Sequence, residues 1–364
     1  MDKLGPDPAS PEFVYSSMME AEVEDHPLAK HVDILCCPGC GGDIANGDQG
    51  LVCTQCRHGF PTEDGISQLF WPNEWDPGAS DITEKMKAFY EETPFPNYDE
   101  FDSVDSLIQK ARKGRFAKLL DDQVPAGTRI IECGCGTGQL SNFLSVANRT
   151  VFGADMCLNS LRLGNKFRKQ NDLTNVNYLQ MNLFKPCFKP QMFDLVVSNG
   201  VLHHTSDPFT AFKSISDLVK PGGYLLVGLY HRYGRLITDF RRMTFNLSGD
   251  RFTGLDPNLR VDGMGKAKRR AWFMDQYKNP HESKHTIGEV MNWLKEIEFD
   301  FVSSVPRSKP FQPFSDEDRL FRREEPGNWF ERLMVETGMI FRGSREGGFF
   351  VVAAQRPRDG EAAR

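Results

Sequence analysis

Two kinds of residue cluster in this chain could do chemistry. The first is thiols: Cys37-Pro-Gly-Cys40 and Cys53-Thr-Gln-Cys56 are two C-x-x-C knuckles separated by 12 residues. Each knuckle can place two thiolates on one ion, so the pair can close a tetrahedral zinc site with no open position, which makes the metal structural. A redox C-x-x-C needs one pair at a helix start, and two pairs on hairpin turns do not fit that. Cys36 is the spare thiol, because it lacks the knuckle spacing. The second cluster is Glu132-Cys-Gly134-Cys-Gly136-Thr-Gly138, with Asp155 standing 17 residues beyond Gly138. Glycines there leave no Cβ between the main chain and a ligand. A carboxylate at Asp155 can accept from both hydroxyls of a ribose.

These residues need elements to hold them. Ile130-Ile131 reads as a buried strand before the glycines, and Gln139–Val146 opens a helical pattern after them. Strand, glycine turn and helix is how an α/β sheet presents backbone to a nucleotide-like ligand. Strands are expected near 129–133, 150–155, 176–181, 193–198 and 223–230, with helices near 138–147, 158–169 and 208–219. Such alternation argues a parallel, doubly wound sheet. A basic helix is expected over Ser106–Leu120. An amphipathic helix over Thr286–Ile297 should feed a strand at Phe299–Val305, and a helix at Trp329–Phe341 should precede a last strand at Gly348–Ala354.

The dinucleotide fingerprint would need a glycine where Gln139 stands. The spacing Glu132-x-Gly134-x-Gly136-x-Gly138 instead resembles the first motif of the class I S-adenosylmethionine (SAM) methyltransferases. Val151–Asp155, Phe193–Gly200 followed by His203-His204, and Leu218–Gly228 with its Pro-Gly-Gly turn resemble later motifs of that family, in its order. The resemblance covers about Ala111–Tyr230 and continues more weakly to Val352. It implies a Rossmann-like, seven-stranded sheet whose last strand runs antiparallel. It further implies that Gly134, Gly136 and Gly138 hold the methionine and ribose of SAM, with Glu132 near its amino-acid end. By the same likeness Asn182 faces the adenine, where the family usually has Asp, and Asn199 and Gly200 line the sulfonium. The cysteine segment with Arg57–Ile66 resembles the zinc ribbon of the small activator subunit of tRNA and release-factor methyltransferases. A comparable ribbon fronts some ribosomal RNA guanine methyltransferases.

The expected organisation is an unstructured lead or expression remnant over 1–31, a zinc ribbon over 32–70, and a linker with an aromatic lid over 71–105. A methyltransferase domain over 106–364 would carry insertions at 231–284 and 306–347. Methyl transfer to an alcohol or phenol needs a general base. The candidates are His204, His231, His281 and His285, with Tyr230 and Tyr233 as orienting hydroxyls. Arg232 and Arg235 are candidate acceptor ligands, since a guanidinium can fork onto a carboxylate or phosphate. Phe95, Tyr98, Tyr277 and His281 are further acceptor candidates. Phe89, Tyr90, Phe95, Tyr98 and Phe101 crowd the expected lid, and Asp275–Thr286 is dense in functional side chains.

The chain is 364 residues with a net charge of -6, a mean hydropathy of -0.46 and 39% hydrophobic residues. That balance implies a soluble globular protein and argues against a nucleic-acid-coated one. No apolar run reaches membrane-spanning length. Clustered cysteines and the absence of a signal pattern point to cytoplasm. Three functions stay open on these residues: a SAM-dependent methyltransferase acting on a small polar or anionic metabolite, an RNA methyltransferase gripping phosphates with the basic insertion, and a non-catalytic SAM-binding partner protein. The oligomeric state is not encoded in any motif.

Overall fold

A computed structural model describes residues 27–74, 82–95, 98, 103–260, 265–342 and 348–361. The lead before Pro27, the linker from 75, Phe101 and the insertion tips at 261–264 and 343–347 lie outside the described residues. All strands join one 11-stranded sheet. Four come from the N-terminal segment: β1 (Ile44–Gly47), β2 (Gly50–Cys53), β3 (Gly59–Glu63) and β4 (Ile66–Gln68). Seven follow: β5 (Arg129–Cys133), β6 (Thr150–Asp155), β7 (Val176–Gln180), β8 (Phe193–Asn199), β9 (Val219–Tyr230), β10 (Asp300–Val305) and β11 (Phe349–Gln355). Their spatial order is β1-β2-β3-β4-β7-β6-β5-β8-β9-β11-β10. Strands β5 to β9 pair in parallel, and β11 runs antiparallel to both β9 and β10.

The expected seven-stranded sheet is therefore corrected to 11. The cause is β4, which pairs in parallel with the outer strand β7 through Ser67–Leu179 and Gln68–Gln180. The cysteine segment thus extends the sheet. Its Leu51, Phe60 and Leu69 pack in the same buried cluster as Ile131, Phe152 and Phe193. Residues 27–34, partly assigned to the lead, form 3-10 turns that bury Leu28 and Ile34 in that cluster. Neighbours along β5 divide between the two faces of the sheet, Ile131 to that cluster and Ile130 to the opposite one, as strand alternation requires.

The helices are α1 (Ile82–Glu92), α2 (Val104–Lys113), α3 (Arg115–Gln123), α4 (Gln139–Ser145), α5 (Leu158–Gln170), α6 (Pro208–Ser216), α7 (Leu236–Ser248), α8 (Lys266–Phe273), α9 (Ile287–Glu296) and α10 (Trp329–Arg342). The single basic helix expected over 106–120 is split into α2 and α3 at Gly114, whose extended ψ of 113° breaks the turn. Asp207 caps α6 and Thr286 caps α9 through backbone N–H groups three residues on. A π-helical turn, Met274–Lys278, follows α8. No described helix is long and apolar enough to cross a membrane.

Candidate functional site

The carboxyl ends of β5, β6, β8 and β9 open on a cavity of about 630 Å³, within the range of small-molecule sites. Gly134 turns out of β5 at φ +79°, where a Cβ would lie 2.4 Å from Val201. The Gly136 N–H donates to Asp155 Oδ2 at 2.8 Å, and the Cys157 N–H donates to Oδ1 at 2.8 Å. Those bonds fix the carboxylate at the end of β6 and leave each oxygen a second lone pair. Burial pushes Asp155 upward against these two donors. Glu132 is buried, accepts from the Ser141 hydroxyl, and is pushed up to about 8 by burial. Asn182 and Asn199 also line the cavity. Gly228 on β9 has to be glycine because its Cβ would fall 2.0 Å from Asn199 Oδ1.

Of the three motif glycines, Gly134 and Gly136 line the cavity, as Gly200 does. Gly138 instead caps α4 in the left-handed region and packs on Tyr178, whose hydroxyl donates to its carbonyl.

A second set of lining residues is aromatic and apolar: Met86, Tyr90, Phe95, Phe116, Trp272 and Phe349. Helix α1 reaches over the site and is pinned there by Glu91, whose carboxylate accepts from the free N–H groups of Leu158 and Asn159 at the start of α5. The polar members form one network. The Tyr90 hydroxyl donates to Asp275 Oδ1 (2.9 Å) and accepts from Asn279 Nδ2 (3.0 Å). Gln276 Nε2 donates to Asp275 Oδ2 (2.8 Å) and to the Tyr230 hydroxyl (2.7 Å). Burial raises both phenols, that of Tyr90 with help from the Asp275 carboxylate.

His204 lines the same cavity, and its Nδ1 lies 2.7 Å from the His281 carbonyl oxygen. A carbonyl only accepts, so Nδ1 carries the proton and the neutral ring keeps a lone pair on Nε2. Burial lowers its pKa and favours that neutral form.

The other candidates are placed elsewhere. Arg235 is wholly buried in an ion pair with Glu282 (2.6 Å) and sits 3.8 Å over the Tyr230 ring. Arg242 shares Glu282. Both guanidinium groups are therefore internal struts. Arg232 is exposed, 3.6 Å from Glu289. Tyr98 stacks on Phe167, and the Tyr277 hydroxyl donates to buried Asp256. The ring of His285 lies between Glu289 and Ser283, while Nδ1 of buried His231 accepts from the main chain at Tyr233 and Gly234. Burial takes His231 down to about 4. None of these seven, nor His281, lines the cavity. Sequence reasoning flagged the stretch that begins at Asp275-Gln276 without giving these two a role, and it missed Trp272. The density of 275–286 was the available signal, but a π-helical turn has no sequence signature.

The sulfurs of Cys37, Cys40, Cys53 and Cys56 lie within 4.8 Å of one another. Cys37–Cys56 is 3.8 Å and Cys40–Cys53 3.5 Å. Four sulfurs at zinc–thiolate distance from one ion would sit about 3.8 Å apart, so the set fits zinc. Cys36 is outside the group, its backbone bridged to Asp43 and bonded to the Cys187 carbonyl.

Residues 131–227 match the family described as "Methyltransferase domain". That stretch runs from β5 into β9 and contains the glycine turn, Asp155 and His204. The chain is 29% identical over 126 residues to a ubiquinone biosynthesis O-methyltransferase of Ruegeria pomeroyi, covering 34% of this chain and 50% of that protein. It is 27% identical over 199 residues to a demethylmenaquinone methyltransferase of Geobacillus sp., covering 49% and 85%. The chain spans about half the length of the first curated relatives it matches. Among solved structures it is similar to a chain from a complex of the Haloferax volcanii Trm112 methyltransferase activator with a methyltransferase. There the TM-score is 0.45 and the identity 12%, with 76% of this chain and 98% of that chain covered.

Proposed function

We propose that this chain is a SAM-dependent methyltransferase whose acceptor is a small, largely apolar molecule bearing a hydroxyl group. The observation that supports it is one cavity lined both by the Gly134–Gly136 cradle with Asp155 and by an aromatic wall around His204. When bound, SAM supplies an electrophilic methyl on a sulfonium. Glu132 would face its ammonium, Asp155 its ribose hydroxyls and Asn182 its adenine. Tyr90, Phe95, Trp272 and Phe349 exclude water and orient the acceptor. Nε2 of His204 takes the hydroxyl proton as the acceptor oxygen attacks.

The acceptor expected from the sequence was polar or anionic, held by Arg232 and Arg235. With Arg235 committed to Glu282 and Arg232 outside the cavity, an apolar hydroxyl compound fits the lining better. The relative named as a ubiquinone biosynthesis O-methyltransferase agrees with that class. We assign one structural zinc to Cys37, Cys40, Cys53 and Cys56; four thiolates leave it no catalytic position.

Calorimetry with SAM tests the cofactor site. Asp155→Ala should weaken binding by about 1–3 kcal/mol through lost charge-assisted bonds. Unchanged affinity would move the cofactor elsewhere. Following S-adenosylhomocysteine release across substituted phenols and across polar carboxylates or phosphates tests the acceptor class; turnover of only the anionic set would overturn it.

A further inference from the structure

Helix α7 is built inside out. Arg235 at its N-cap, Thr238, Arg242 and Phe245 face the protein, the two arginines on Glu282. Leu236, Phe240, Met243 and Leu247 are 47–82% exposed. On a 3.6-residue wheel these four fall within about 60° of one another, opposite the buried set. Phe252 and Leu255, in the turns that follow, are exposed too. A contiguous apolar face of this kind marks an interaction surface. Helix α10 carries a second stripe, Phe330, Met334 and Phe341. Gly348, six residues after its end, lies with its Cα against Gly234 at the start of α7.

We infer that α7 and its following turns dock on an anionic membrane surface. Charge decides between the occupants. Residues 236–273 contain eight Lys and Arg, of which Arg242 is held by Glu282, against four Asp and Glu, in a chain of net -6. Asp256 is buried beneath Trp272 and Tyr277, Asp239 is bridged by Lys284 and Asp250 by Lys278. Arg251, Arg260, Lys266, Arg269 and Arg270 are exposed. A symmetric pair of chains would set this basic patch against itself. A bilayer with anionic headgroups accepts both the apolar stripe and its basic border, as interfacial helices do. The same segment supplies Trp272 to the cavity wall, so a docked enzyme would hold its site at the source of an apolar acceptor. That last step rests on the proposed acceptor class; the docking itself does not.

The test is co-sedimentation of the full chain with vesicles, one set of phosphatidylcholine and one of equimolar phosphatidylcholine and phosphatidylglycerol. The wild type should bind the anionic set, with affinity falling as salt rises. The double variant Phe240→Glu, Leu247→Glu should lose at least about tenfold in binding. Both positions are exposed, so its SAM affinity should match the wild type, and that measurement reports intact folding. Equal vesicle binding by the double variant overturns the proposal. So does a wild type that ignores the anionic vesicles, whether it stays monomeric or forms, by light scattering, a dimer that the double variant does not.

Discussion

Asn182, on the floor of the cavity, donates through Nδ2 to the carbonyl oxygen of Trp71 at 2.8 Å. The same nitrogen reaches Asn73 Oδ1 at 2.8 Å. The Trp71 indole in turn covers Gly39, inside the first cysteine knuckle, where a Cβ would lie 2.7 Å from the ring. It also meets His58 edge-on at 5.0 Å. The thiol cluster and the proposed adenine site are thus joined through one tryptophan. Stripping the metal, or Cys40→Ser, should weaken SAM binding by about 1 kcal/mol as Asn182 loses its fixed partner. Calorimetry before and after chelation gives the answer, and identical affinities would show the two sites to be independent.

The zinc assignment predicts about one zinc per chain by metal analysis. Cys36→Ser should keep it, because that residue contributes backbone rather than sulfur at this place. Cys40→Ser should lose it. Release of zinc from the Cys36 variant would change the ligand set.

Glu132 gives a pH signature. Its carboxyl is held up to about 8 by burial, so the unliganded protein carries it protonated at neutral pH. A carboxyl raised in the folded state contributes stability at low pH that is lost as pH climbs from the ordinary carboxylate range through about 8. Glu132→Gln should therefore raise the melting temperature of the unliganded protein at alkaline pH. It should also weaken SAM binding by about 1.5–3 kcal/mol, the worth of a bond to a charged group. At neutral pH, wild-type binding should release up to about one proton, visible as a dependence of the binding heat on the buffer.

His204 should set the acid limb of the rate. Its pKa is lowered from 6.5 by burial, so the neutral base persists on acidification and kcat falls only below that value. His204→Ala should cut kcat by about 10²–10⁴-fold. SAM affinity should stay within about 0.5 kcal/mol, as expected for groups with separate partners. A variant that turned over normally would shift the search for the base to Asp275.

The strands at Ile130-Ile131, Val151–Asp155 and Phe193–Ser198 were legible because each apolar run ends in a residue that leaves the sheet pattern, a glycine or a polar group. The cysteine knuckles were legible from spacing alone. The pairing of β4 with β7 was not, since Ser67 and Leu179 share no local signal. Nor was the role of α7's first residues: Arg235 reads as an acceptor ligand, yet it faces the protein. Glu282, 47 residues beyond Arg235, supplies the buried counter-charge that turns it inward. Gly114 likewise split a helix whose polarity pattern ran straight through it.

The junction of β4 with β7 also has a bearing on the order of assembly. Hairpins β1-β2 and β3-β4 close through neighbouring residues, Gly47 with Gly50 and Glu63 with Ile66, and a metal can fix them as soon as they leave the ribosome. Ser67 must then wait for Leu179, 112 positions later (179 minus 67). In that interval β4 presents an open row of N–H and C=O groups. How much chain reaches the native sheet, and how much is lost to pairing with strangers, is then decided while β4 waits for β7.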